Sequence, residues 1–233
     1  MSHQSIGVIA SSGGSVLASG VRLLRSAGLS VDVSIVTDRA CGIEQVAAHY
    51  GLQCTRVDDR SRESFSAGAS GWLVDRWQCD WVLLLFTRLI GAPVYSRVPC
   101  VNLHPSLLPA FPGFGALEAV LATGAATLGA TAHLVDSETI DAGPIIAQCC
   151  NPLNGSESLS SLRRLSYAQK LYLFLVVAEL VAEGTAAVLR ETVMKPGPLS
   201  GGVLRRLSSR KIQVAFDDHL RLEGIPWPVE RTL

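Results

Sequence analysis

Residues 81–86 read Trp-Val-Leu-Leu-Leu-Phe, six apolar side chains in a row with no polar alternation. A strand with one wet face alternates apolar and polar. An unbroken apolar run of this length belongs to a strand buried on both faces, as in the centre of a parallel sheet. Residues 6–10 (IGVIA) and 31–36 (VDVSIV) are two further strand-like runs, and 53–57 is a third. Between them the pattern predicts helices over about 15–27, ending near Gly28, and about 42–50, ending at Gly51. Residues 58–70 are polar and Ser-rich, and a helix continues over 71–77. This β-α-β-α-β-α-β order implies an α/β, doubly wound, parallel sheet. In such a sheet ligands bind at the carboxyl ends of the strands, near a topological switch point.

Residues 100–103 (CVNL) supply a fifth strand, and 104–115 form a Pro/Gly-rich loop. Residues 114–123 read as helix, 128–135 and 144–149 as strands, and about 158–183 as a long helix. The segment 195–202 (KPGPLSGG) is a linker by composition, which divides the chain into a domain over 1–194 and a tail over 195–233. Residues 203–222 fit one amphipathic helix. At about 30 residues the tail is too small to be an independent domain. Its basic cluster, Arg205, Arg206, Arg210 and Lys211, reads as a solvated helix face, with a docking surface for a carrier protein or a second subunit as the alternative.

Twenty basic and twenty acidic side chains cancel to a formal charge of zero. Balanced charge gives no electrostatic reason to bind nucleic acid or an anionic membrane. The six cysteines form no C-x-x-C pair, so reduced thiols and a cytoplasmic setting are expected. The MSHQS start shows no signal peptide, and the longest apolar run, 171–178, is far shorter than the roughly 20 residues of a membrane span.

Two clusters carry candidate chemistry. In 102–109 (NLHPSLLP), Asn102 and His104 stand two apart at the end of a predicted strand, so an amide and an imidazole point to the same side of the ligand edge. The same pair also suits a strand cap, and spacing alone does not separate the two readings. In 138–144 (ETIDAGP), Asp141 sits in a tight loop between two strands, where an ordinary turn aspartate is the alternative.

Taken together, NLHPSLLPAFPG at 102–113, TAHLV at 131–135 and IDAGPIIAQ at 140–148 resemble the folate-dependent formyltransferase family, most closely its glycinamide ribonucleotide formyltransferases. The resemblance spans roughly residues 5–190. It implies a formyltransferase-type, Rossmann-like, mostly parallel sheet, and an enzyme that takes its formyl group from 10-formyltetrahydrofolate without a metal. It places the catalytic residues on Asn102, His104 and Asp141, with His133 in support. Asn102 would hold the formyl oxygen, His104 would stabilise the developing oxyanion, and Asp141 would tune His104 and relay a proton. By the same resemblance Arg88, Leu89, Ile90, Ser137, Glu138 and Ile140 border the folate. Ser12, Gly13, Gly14, Ser15 and Lys170 face the acceptor.

The chain departs from the family on the acceptor side. Val16 stands where glycinamide-using members carry an Asn, and Lys170 stands where they carry a Glu. The loop from His133 to Asp141 is one residue longer than usual, and 88–102 is about two shorter. Leu84 and Leu85 replace small residues. The expectation is therefore a specialised biosynthetic N-formyltransferase acting on a small-molecule amine or hydroxylamine. The alternatives are a glycinamide ribonucleotide formyltransferase of purine synthesis, a 10-formyltetrahydrofolate hydrolase, and a non-enzymatic binding protein of the same fold. Oligomeric state is left open.

Overall fold

The apolar run at 81–86 forms β4 (Trp81–Leu85), and its first four side chains are buried. In the computed structural model, which describes residues 5–29, 31–57, 61–183 and 206–227, β4 is the centre of a seven-stranded sheet. The preceding elements are β1 (Ser5–Ala10), α1 (Ser15–Ser26), β2 (Asp32–Thr37), α2 (Gly42–Tyr50), β3 (Gln53–Arg56) and α3 (Arg62–Ser70). After β4 come α4 (Ala92–Tyr95), β5 (Cys100–His104), α5 (Ala116–Thr123), β6 (Thr127–Val135), β7 (Ile145–Pro152), α6 (Leu159–Ala182) and α7 (Arg210–Leu222). The strand order is β3-β2-β1-β4-β5-β6-β7. The first five strands pair in parallel, while β6 runs antiparallel to both β5 and β7.

The chain winds outward from β1 to β3, then returns to place β4 on the other side of β1. The connections leaving β1 and β4 therefore diverge and open a crevice at the carboxyl ends of these strands. Ser11 and Thr87 bridge its floor: their hydroxyls lie 2.8 Å apart, and Thr87 N–H donates to Ser11 Oγ at 3.0 Å.

Two stretches differ from the sequence expectation. The polar segment before residue 71 already contains helix α3, capped by Ser61, whose Oγ accepts from Ser64 N–H. Composition hid it because its buried face needs only Phe65 and Ala69, four residues apart. Past Ser70 the helix widens over Gly71–Arg76, where Trp77 N–H reaches Trp72 O at 2.9 Å, an i to i−5 bond. The short α4, with Pro93 in its first turn, was not anticipated.

Among the described residues α6 is the one helix long and apolar enough to cross a membrane, yet 78% of its apolar window is buried inside the protein. It is a core helix that packs on the sheet and on α1. The 194/195 boundary, the linker 195–202 and Arg205 lie outside the described residues. The tail helix α7 packs on α1 and α6 through Ile212, Phe216, His219 and Leu220, and Phe216 meets Tyr172 and Trp227. Its apolar stripe is thus covered by the body of the same chain.

The polar centre of that contact is His219. Arg22 Nη2 lies 2.8 Å from its Nδ1, and Tyr167 OH lies 2.9 Å from its Nε2 and donates to Ser19 Oγ at 2.8 Å. A guanidinium only donates, so Nδ1 accepts, and Nε2–H donates to the tyrosine. Burial, then the Arg22 charge, holds the His219 pKa below its ordinary value. The unfolded chain therefore binds more protons than the folded one just below pH 6.5. Stability should fall as pH drops from about 6.5 through the folded pKa. Melting curves across pH 5–7 should show a shallower slope for His219→Gln than for the native chain. Parallel slopes would clear His219 of the effect.

Candidate active site

The end of β5 sets the site. Asn102 and His104 share a face as i and i+2, and the antiparallel neighbour places His133 of β6 opposite Asn102. Asp141 arrives from the loop between β6 and β7 with φ of 52°, a left-handed conformation that Asp tolerates better than most residues. The four side chains converge. His104 Nδ1 lies 3.1 Å from Asp141 Oδ2, and His133 Nε2 lies 3.3 Å from Asp141 Oδ1. Asn102 Nδ2 lies 3.3 Å from Asp141 Oδ1 and 3.2 Å from His133 Nε2.

The loop backbone completes the set. Gly113 N–H donates to Asp141 Oδ2 at 2.7 Å, and His104 Nε2 lies 2.8 Å from the Phe111 carbonyl. A carbonyl only accepts, so Nε2 carries a proton. With Asp141 ionised, the 3.1 Å contact at Nδ1 is satisfied by a second proton there. The geometry therefore suits an imidazolium–carboxylate pair. Burial of Asp141 works to raise its pKa. The His133 hydrogen bond, the Gly113 N–H and the charges of His104 and His133 outweigh burial and hold it below the usual carboxylate range.

Close packing fixes the loop that carries Asp141. A Cβ on Gly143 would sit 1.9 Å from the Leu134 carbonyl oxygen, a backbone atom that cannot rotate aside. Gly143→Ala should therefore push Asp141 off His104 and lower stability by about 1–3 kcal/mol, the usual cost of overpacking. Thermal unfolding checks this, and an unchanged midpoint would mean that the loop relaxes freely. Thr131 holds the other loop: its hydroxyl donates to Ser106 O and accepts from Leu108 N–H and Gln148 Nε2.

These groups open into a cavity of about 360 Å³ between the ends of β1, β4 and β5. The structure brings nearly all the sequence-derived residues to its wall. Arg88, Leu89, Ile90, Ser137, Glu138 and Ile140 line it, as do Ser12, Gly14, Ser15, Val16 and Lys170. Gly13 does not reach the wall. It backs onto α2 instead, where a Cβ on Gly42 would meet Gly13 Cα at 3.0 Å. Gly14, at φ of 72°, turns the chain into α1 and leaves the helix start without a side-chain cap.

Several residues at the wall or directly behind it were not read from the sequence. Arg62 pairs with Glu138 at 2.5 Å, and Tyr95 OH donates to the same carboxylate at 3.0 Å, tying the β6–β7 loop to α3 and α4. Asp38, buried at the end of β2, holds Arg88 at 3.2 Å and Arg39 at 2.7 Å. Arg88 also lies over the stacked rings of Phe65 and Phe86. An acid at a strand's carboxyl end is the signal that could have marked Asp38. Nothing in sequence spacing pairs Arg62 with Glu138. Phe114, 74% exposed between the left-handed Gly113 and Gly115, stands at the rim.

Comparison with known proteins gives a consistent picture. The family model described as formyl transferase matches residues 4–174. A phosphoribosylglycinamide formyltransferase of Mycobacterium tuberculosis is 33% identical over 168 residues, which cover 70% of this chain and 78% of that protein. The crystal structure of glycinamide ribonucleotide transformylase 1 from Symbiobacterium toebii superimposes with a TM-score of 0.72 at 30% identity, covering 78% of this chain and 89% of the other. That of the transformylase 1 from Geobacillus kaustophilus gives 0.70 at 29% identity, covering 77% and 100%.

Proposed function

The chain belongs to the formyl transferase family, as an enzyme that takes its formyl group from 10-formyltetrahydrofolate, and on that premise we propose that its acceptor is the primary amine of glycinamide ribonucleotide. The observation that carries the chemistry is the convergence of Asn102, His104 and Asp141 on one cavity that also reaches the uncapped start of α1. The relatives' activity supports the acceptor. It makes the purine-pathway reading the first one and the specialised acceptor the second. A small-molecule amine as partner and a cytoplasmic setting go with the same proposal.

The wall suits a flat heteroaromatic donor. Apolar Leu84, Ile90 and Val135 alternate there with polar backbone and with Arg88 and Glu138. The donor supplies an activated formyl carbon. The protein supplies charge placement and proton movement. Transfer loads negative charge onto the formyl oxygen, and donors for it come from the Asn102 amide and His104 once an N–H is released from its partner, His133 or Asp141 for the amide and Phe111 O or Asp141 for the imidazole. The acceptor nitrogen loses a proton as it bonds to carbon, while the departing folate nitrogen gains one. Asp141, ionised and in contact with His104, takes up the first proton directly or through a water, and His104 lies in reach to return one. No covalent enzyme intermediate is needed.

The second reading, a different amine acceptor, is favoured by Val16 and Lys170, which line the cavity and depart from the family's Asn and Glu. Tetrahydrofolate release from 10-formyltetrahydrofolate, with and without glycinamide ribonucleotide, tests the choice. Ribonucleotide-dependent release is the expected result. Release with water alone would make the protein a hydrolase. Release only with another amine would favour the second reading.

A further inference from the structure

The tail helix α7 is fastened to α6 at both ends. At its start the Glu179 carboxylate of α6 accepts from the N–H groups of Ser208 and Ser209, each at 2.8 Å. At its other end Arg164 of α6 donates to the carbonyls of Glu223 and Gly224. Between these points His219 reaches across to α1. Among the described residues, Arg22 to His219 is the one hydrogen-bonded contact of α7 with α1. It stands where α1 and α6 are themselves pressed together. Tyr167 of α6 donates to Ser19 of α1, and the Phe174 ring leaves no room for a Cβ on Gly20. Two turns before Arg22, about 10 Å along the helix, α1 begins at Ser15 in the cavity wall.

The charged and titratable groups around the imidazole are Arg22 from α1, Tyr167 from α6 and Glu223 just past the end of α7. Burial raises the Tyr167 pKa, so the phenol keeps its proton, which goes to Ser19. The phenolic oxygen then accepts from His219 Nε2–H, and Nδ1 accepts from Arg22. A second proton on the ring belongs on Nδ1, where the guanidinium already points. Donor would face donor, and two positive charges would meet across 2.8 Å in a partly buried contact. Glu223 works the other way, more weakly than Arg22.

We propose that α7 is a pH-sensitive strap: with His219 neutral it clamps α1 onto α6, and protonation of His219 releases the helix and loosens α1 at the cavity. The strap is independent of which amine the cavity accepts. The released helix takes up the proton and the docked one does not, so release is favoured as pH falls from about 6.5.

Hydrogen exchange on the full chain, read as protection factors between pH 7 and pH 5, tests this. Protection of α7 (Arg210–Leu222) and of α1 should fall together, by up to about tenfold per pH unit below pH 6.5, while β4 keeps its protection. His219→Gln offers an acceptor and a donor without a titratable charge, and its protection should not change with pH. If that variant does not fold, Arg22→Met serves, because removing the facing charge should flatten the dependence. Protection of α7 that stays constant with pH in the native chain, or that falls equally in native and variant, overturns the proposal. So does a loss shared by β4, which would be global unfolding, and so does a loss in α7 that leaves α1 untouched.

Discussion

An Asp141→Asn enzyme should bind 10-formyltetrahydrofolate nearly as well as the native one and turn it over about 10²–10⁴-fold more slowly, the range for loss of a positioned acid–base group. The substitution keeps size and shape, so the tight loop at Gly143 is not disturbed. What changes is charge and donor pattern. Asp141 Oδ2 accepts from Gly113 N–H and from His104 Nδ1, and Oδ1 faces Asn102 Nδ2 and His133 Nε2. An amide offers one oxygen where two are used, so one donor must face another donor. The imidazolium of His104 also loses its counterion. Turnover and folate KM measured together check this, with a melting curve to confirm folding. Unchanged turnover would remove Asp141 from the mechanism. Because the Asp141 pKa is depressed, its stabilising contribution is present above about pH 3.9 and is lost only as pH falls below that through the folded pKa. Across neutral pH the carboxylate stays ionised, so any neutral-range limb in the rate profile must come from another group.

Asn102→Ala should cost about 10²–10³-fold in rate, the effect of deleting one oxyanion donor. In the structure the Asn102 amide is braced on both sides, by His133 Nε2 and by Asp141 Oδ1. Bracing holds the amide beside the reacting centre before substrate arrives, and one of its two N–H groups is given up by its partner to meet the oxyanion. The loss should fall on kcat, since the developing charge is what the amide meets. A change confined to KM would demote Asn102 to a binding residue. Asn102 is only partly buried and Ala is smaller, so folding should survive and the kinetics stay readable.

The parallel core was legible because burial on both faces leaves an unmistakable trace: β4 is apolar from end to end, and β1 nearly so. The Asn102 and His104 pair was legible from the period-2 rule, and the recurrence of a known residue pattern extended it to Asp141. Helix α3 was missed because a helix on the outside of a sheet needs few apolar residues, and serines disguise it. Asp38 as the anchor of Arg88, and the Arg62–Glu138–Tyr95 link, were missed because each joins elements far apart in sequence.

The amino-acid order alone thus determined the succession of strands along the chain, the residues at the strand ends and the family to which the pattern belongs, because these follow from local periodicity and from contiguous motifs. Only the tertiary structure decided which charges are paired. It placed Asp141 between two imidazoles, gave Arg62 and Arg88 their carboxylates and left Lys170 without one among the described residues. It also turned the tail helix α7 onto α1 and α6. The physical reason is that an ion pair or a covered apolar face depends on distance in space, and distance in space is set by how layers pack rather than by any spacing along the chain.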